Sequence, residues 1–415
     1  MEMTLEEAIR KYSRPVKNTA DLDPLVDAVG DAKIVLLGEA THGTSEFYEW
    51  RAELSKRLIR EKGFSVIAVE GDWPSAYQVH RYINNFSDGD ETARNLLAQS
   101  FTRWPTWMWA NEEIADFIDW LKDFNAAENK NTGFYGIDVY SLWESMEEVI
   151  RYLSEVDPAG GDVELAKQAF SCFDPSNREP EKYAISYATF SASCVDEVTR
   201  LLASIRSHSE HYSNEEEAYL NLQINSLVAK NAEEYYRAMI RSGADSWNIR
   251  DGHMVETINE LRKYHGPDAR IIVWEHNTHI GDARATDMKD DNMVNVGQLL
   301  REQNPPEDVY AIGFGSYEGT VIAAEAWEAP FEEMVLPPGK KNSWEELLHR
   351  TGAHDKLLIF DGGNNRLFDR WIPHRAVGVV YHPEREAYGN YVPSMISRRY
   401  DAFLFFDRTT ALRSL

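Results

Sequence analysis

Only two cysteines, Cys172 and Cys194, occur in 415 residues, and neither belongs to a C-x-x-C pair. That excludes a dense disulfide framework and a zinc-ribbon type of metal site. It predicts two free thiols in a reducing cytoplasm. Positive charge is also scarce. Against 69 Asp and Glu stand 43 Lys and Arg, a net charge of −26. A chain so acidic is a poor partner for nucleic acid or for an anionic membrane surface. Long apolar runs are missing too, and none nears the ~18 residues of a membrane span. The opening "MEMTLEEAIRKYS" has no apolar signal-peptide core. The expectation is a soluble, cytoplasmic protein.

Several catalytic signatures are absent. No G-x-S-x-G elbow is present, which argues against a serine α/β-hydrolase. No H-E-x-x-H, phosphate-binding G-x-x-x-x-G-K-[ST] or dinucleotide-binding G-x-G-x-x-G occurs. Neither cysteine lies near a strand end, so a thiol nucleophile is not expected.

What is present is a series of short apolar runs. They cover 33–39, 65–73, 133–141, 270–279, 309–316, 356–361, 376–382 and 400–407. Near-continuous Val, Ile and Leu predict strands buried on both faces, as in a parallel sheet. Helical periods separate the early runs. "SEFYEWRAELSKRLIREKG" stops at Gly63, and Pro74 suits the first turn of the next helix. The fold class predicted is α/β, a mostly parallel sheet flanked by helices. Between 142 and 265 the strands stop. The stretch 181–242 is charged, helical in period, and free of proline and glycine. The expected organisation is a core of 1–141 and 266–415 with a mainly helical insertion or lid at 142–265. The Pro/Gly-rich "VLPPGKKNS" (335–343) reads as a surface loop.

In open parallel sheets ligands bind beyond the carboxyl ends of the strands. The first buried run ends in Glu39, with His42 three residues on. The second ends in Glu70, the third in Asp138, and the fourth in Glu275, His276 and His279. Each residue alone also fits a structural role: Glu39 and Asp138 as helix caps, His42 as a satisfied core histidine, Arg51 as a surface ion pair. Their recurrence at successive strand ends points to chemistry. A histidine beside a carboxylate is a general base, so His-activated water is the simplest hydrolytic reading. His276 or His279 would protonate a leaving group or polarise a carbonyl, and Arg51 would stabilise an oxyanion. A rival reading makes Glu39, His42, Glu70, His276 and His279 ligands of a divalent ion. A third makes the cleft a non-catalytic pocket for a small molecule. Gly38 and Gly43 are expected to let the backbone turn sharply around Glu39 and His42.

The ordered segments "LLGEATHGTSEFYEWRAELSKRLI", "VIAVEGDWPSAYQVHRYI", "FYGIDVYS", "WNIRDGHM", "VWEHNTHIGD" and "YDAFLFFDRTTALRSL" span nearly the whole chain. In that order they resemble the erythromycin esterase family, many members of which carry a succinoglycan-biosynthesis label. The resemblance implies an α/β core with added helices, and ester or macrolactone hydrolysis by activated water without a cofactor or an obligatory metal. It implies antibiotic resistance where the substrate is a macrolide. It makes His42 the general base, with Glu39, Arg51, Glu70, His276 and His279 as its companions. It adds Arg250 and Asp251, with Asp138, as substrate-side or supporting groups. The partner is then a small ester or lactone. The oligomeric state is not legible.

Overall fold

The computed structural model describes residues 3–86, 91–173, 194–212, 217–239 and 243–415. The strands are β1 (Arg14–Pro15), β2 (Ile34–Leu37), β3 (Val66–Val69), β4 (Gly133–Gly136), β5 (Ile271–Trp274), β6 (Val309–Ala324), β7 (Phe331–Leu336), β8 (Lys356–Ile359), β9 (Trp371–Arg375), β10 (Tyr391–Met395) and β11 (Ala402–Thr409). Nine of them form one sheet in the order β1-β8-β11-β6-β2-β5-β3-β4, with β7 on the extension of β6. β2 runs parallel to β5 and β6, and β11 runs parallel to β6. Within this sheet β1–β8, β8–β11 and β6–β7 pair antiparallel. Every residue of β2, β3, β4 and β5 is buried. Their unbroken apolar runs are what a sheet covered on both faces requires.

The helices needed below are α1 (Ser45–Lys62), α2 (Trp73–Ile83), α3 (Glu112–Glu128), α4 (Leu142–Val156), α5 (Gly161–Ser171), α6 (Val195–Ser207), α7 (Ala218–Met239), α8 (Ala244–His265) and α9 (Asn277–Ile280). α1 stops at Gly63, which is left-handed at φ 72° and donates its N–H to Leu58 O. Pro74 lies in the first turn of α2. Among the described residues no helix is long and apolar enough to cross a membrane.

The chain divides into two compact units. The first comprises Met1–Ala68, Val79–Phe134 and Asp268–Leu415 and carries most of the sheet. The second comprises Val69–Gln78 and Tyr135–Pro267. It therefore takes Val69–Gln78 and 135–141 together with the helical stretch. Parts of the predicted helical stretch, 181–193, 213–216 and 240–242, lie outside the described residues. The rest of the second unit packs α4 through α7 around a core that includes Trp143, Val149, Leu153, Phe170, Leu201 and Tyr236.

Three expectations are corrected. Cys172 and Cys194 are not free thiols: they form a disulfide across 22 residues, with Cα atoms 5.8 Å apart. The cysteine argument for a reducing compartment falls with them. The run 376–382 is not a strand. It crosses from Thr41 to Ala324, making one isolated bridge to each through Val377 and Val380, and a single bridge is no ladder. The neighbouring ladder is instead the β9–β10 hairpin. Gly38 and Gly43 do not have positive φ. They are small because space is short. A Cβ at Gly38 would lie 2.1 Å from Asn277 Oδ1, and one at Gly43 would lie 1.9 Å from the Ile322 carbonyl oxygen.

Candidate active site

The loop between β2 and α1 carries Glu39 and His42. Its course is fixed from both sides. Asn277 N–H donates to Glu39 O at 2.8 Å, while Ile322 N–H and Leu412 N–H both donate to Gly43 O at 3.0 Å. Within this loop His42 Nδ1 lies 2.8 Å from Glu39 Oε1. Glu39 is 1 % exposed and His42 8 %. A carboxylate only accepts, so in the neutral ring Nδ1 carries the proton and Nε2 keeps its lone pair. That is the tautomer a general base needs.

The second oxygen of Glu39 is also engaged. Arg51 Nη2 donates to Glu39 Oε2 at 2.9 Å, and Arg51 is completely buried. Its guanidinium lies over two rings, 4.4 Å from the centroid of Tyr48 and 4.8 Å from that of Trp274. Its Nε and Nη1 have no hydrogen-bond partner. The rings supply part of what water would otherwise give the charge. Arg51 is thus neither a surface ion pair nor a group laid open to a substrate. It holds Glu39, and through Glu39 it holds His42. A metal ion bound at Glu39 would have to compete with the guanidinium or with the His42 hydrogen bond.

The sequence holds a signal for this burial. The buried positions of α1 include Phe47, Tyr48, Arg51, Ala52, Leu54, Ser55, Leu58 and Ile59. Arg51 stands in the helical stripe that faces the core. Tyr48 sits one turn before it. Trp274, the last residue of β5, carries only a strand signal in the sequence, yet its indole N–H donates to Ser55 Oγ at 3.0 Å and its ring meets Arg51. Asn277 was likewise missed. Besides its bond to Glu39 O, its side-chain amide donates to Phe314 O at 2.6 Å, tying the ends of β2, β5 and β6.

His276 stands beside His42, with ring centroids 4.9 Å apart and planes at 44°. It caps the short α9. Its Nδ1 accepts the Thr278 N–H at 3.2 Å and lies 2.8 Å from Thr278 Oγ1. A ring nitrogen that accepts a backbone N–H carries no proton, so neutral His276 is protonated at Nε2. In their neutral forms the two rings thus carry their protons on different nitrogens, Nδ1 in His42 and Nε2 in His276. His279, the third residue of α9, is buried, at 2 % exposure. Glu275, which follows β5, is also buried.

The second unit contains its own ionic cluster. Arg250, on α8, donates from Nε to Asp138 Oδ1 at 2.9 Å and from Nη2 to Asp138 Oδ2 at 2.6 Å, a bidentate pair. The same Nη2 reaches Glu70 Oε1 at 2.8 Å. Glu70 and Asp138, the ends of the second and third runs, are thus joined by one arginine. Asp251 is fully buried. Two residues on, burial lowers the pKa of His253 to about 4.

Comparison with known proteins decides the family. The model for "Erythromycin esterase" matches residues 59–409. The chain belongs to the erythromycin esterase family. Membership supports a hydrolytic enzyme. The chain is 22 % identical over 438 residues to "Putative hydrolase YbfO" of Bacillus subtilis, covering 97 % of this chain and 90 % of that protein. It is 23 % identical over 343 residues to "Erythromycin esterase type II" of Escherichia coli, covering 75 % and 76 %. A crystal structure described as a succinoglycan biosynthesis protein superposes with a TM-score of 0.80 at 19 % identity, covering 99 % of this chain and 97 % of that one. At that identity the likeness is one of fold.

Proposed function

We propose that this family member hydrolyses a carboxylic ester or lactone with water activated by His42. His42 Nε2 takes a proton from water as the oxygen attacks the carbonyl carbon. Glu39 accepts the hydrogen bond from Nδ1–H and stabilises the imidazolium that forms. Nε2–H of His276 donates to the carbonyl oxygen as it gains charge. Collapse of the tetrahedral intermediate breaks the C–O bond, and the proton held by His42 goes to the leaving alkoxide. Arg51 acts through Glu39, keeping it aimed. His279 stays in the proposal as a second donor. Glu70, Asp138, Arg250 and Asp251 are proposed as groups that bind or orient the substrate.

The observation that carries this reading is the chain His42–Glu39–Arg51, in which each carboxylate oxygen serves one partner. No cofactor takes part in it. The substrate class is an uncharged or cationic ester, in keeping with the net charge of −26. Macrolide lactones are the first to test, since a relative bears that name. The test is product analysis by mass spectrometry on erythromycin and a panel of esters and lactones, with EDTA present. Gain of one water in wild type supports the reading. Activity that vanishes with EDTA and returns with added metal would replace it with a metal-dependent hydrolase, and no turnover on any ester would replace it with a binding protein.

A further inference from the structure

A concave feature lies at the N-terminal ends of β3 and β4, in the first unit. It is a cavity of about 710 Å³ between the C-terminal ends of α1 and α3, reaching Ser65 and Thr132 just before β3 and β4. That volume falls in the range of small-molecule sites, roughly 300–1,000 Å³. Its wall is aromatic, with Phe64, Trp120 and Phe124. Its rim bears Arg60 and Lys130 against Asp123 and Glu128, so the charges balance.

The wall is the outer end of a column of rings. Phe124 stacks on Trp120 at 5.1 Å and 16°, Trp120 on Phe117 at 6.1 Å and 6°, and Phe117 on Trp274 at 5.2 Å and 13°. Trp274 is the ring that carries the Arg51 guanidinium. Near-parallel stacking thus runs without a break from an open cavity to the group that holds Glu39. Cation–π positions over Trp120 are already taken by Arg60 at 4.9 Å and Lys56 at 5.7 Å. What the cavity offers a ligand is ring surface and a balanced polar rim. That combination disfavours a simple anion, a metal ion or a cation. It suits a flat, uncharged aromatic ring that extends the column.

We propose that this cavity binds planar, uncharged aromatic molecules and that their binding is felt at the Arg51–Glu39–His42 chain. The route is physical contact: a ligand that settles Phe124 and Trp120 fixes Phe117 and Trp274, and with them the seat of Arg51. The test uses indole as the probe and does not depend on turnover, so its failure is separate from failure of the hydrolase reading. Indole binding is measured by calorimetry and saturation-transfer NMR in wild type, Trp120→Ala and Ala127→Trp. Ala127 lines the cavity and is exposed, so the larger residue fills the space without entering the core. Both variants are checked by far-UV circular dichroism. The expected result is saturable binding to wild type, weakened at least about tenfold in both variants, with the His42 ring resonances shifting on addition of indole to wild type only. No binding to wild type, or equal binding to Ala127→Trp, overturns the site. Binding that leaves the His42 resonances unmoved overturns the coupling.

Discussion

Replacing Arg51 by methionine tests whether the buried guanidinium sets the state of Glu39. Methionine keeps much of the volume and the contact with Tyr48 and Trp274, and removes the charge. In wild type Arg51 is completely buried and Glu39 is 1 % exposed, so bulk water screens this pair little. At 2.9 Å and an effective dielectric of about 20, two unit charges attract by about 6 kcal/mol. Desolvation of both groups cancels much of that in the intact pair. Loss of one partner is different, because it leaves the other charge buried, at a cost of about 3–5 kcal/mol. Arg51→Met is therefore expected to lose stability of that order in urea unfolding at pH 7. The sign of a second effect follows. With Arg51 gone, the Glu39 carboxylate still faces His42 Nδ1, which favours the imidazolium. The acid-side limb of the pH profile, where the rate rises as the imidazole loses its proton, shifts to higher pH. The assay is the pH dependence of kcat/KM on an ester substrate beside the unfolding curve. A variant within about 1 kcal/mol of wild type, with an unmoved pH profile, would refute the positioning role.

Other outcomes follow from the same geometry. His253, neutral in the folded state at a pKa lowered to about 4, ionises near 6.5 when unfolded; stability is full above about pH 6.5 and falls by up to about 1.4 kcal/mol per unit as pH drops toward 4. His253→Gln should flatten that slope in urea unfolding followed across pH, and an unchanged slope would clear His253 of the effect. Reduction of Cys172–Cys194 removes a cross-link over 22 residues and is expected to cost about 2–4 kcal/mol; melting with and without a phosphine reductant checks it, and alkylation of the unreduced chain should find no free thiol. Gly43→Ala drives a Cβ into the Ile322 carbonyl, so a loss of about 1–3 kcal/mol and of activity is expected; a stable, fully active variant would mean the loop yields.

Much of this is legible in the sequence, for identifiable reasons. β2, β3, β4 and β5 announce themselves because a strand buried on both faces must be apolar throughout. The dyad is legible because Glu39 and His42 share one loop, where three residues of spacing suffice to bring them together. Arg51 is only half legible. Its position in the apolar stripe of α1 signals burial, while its charge argues for the surface, and the tie is broken by Glu39, Tyr48 and Trp274, which the linear sequence does not join. The disulfide is invisible because two cysteines 22 residues apart meet only through the packing of α5 and α6. The segment 376–382 misleads because apolar composition marks an extended, partly buried chain whether or not a ladder pairs with it. The strand-end carboxylates Glu70 and Asp138 are plain in sequence, but Arg250, which joins them, lies more than a hundred residues on.

The most direct test of the central claim is hydrolysis in ¹⁸O-enriched water by wild type and His42→Ala, followed by mass spectrometry of the acid product, with circular dichroism confirming that the variant is folded. The account predicts one ¹⁸O in the acid from wild type and a fall in rate of about 10²–10⁴-fold in the variant, the share that a general base supplies. Incorporation at an unchanged rate by His42→Ala would contradict it.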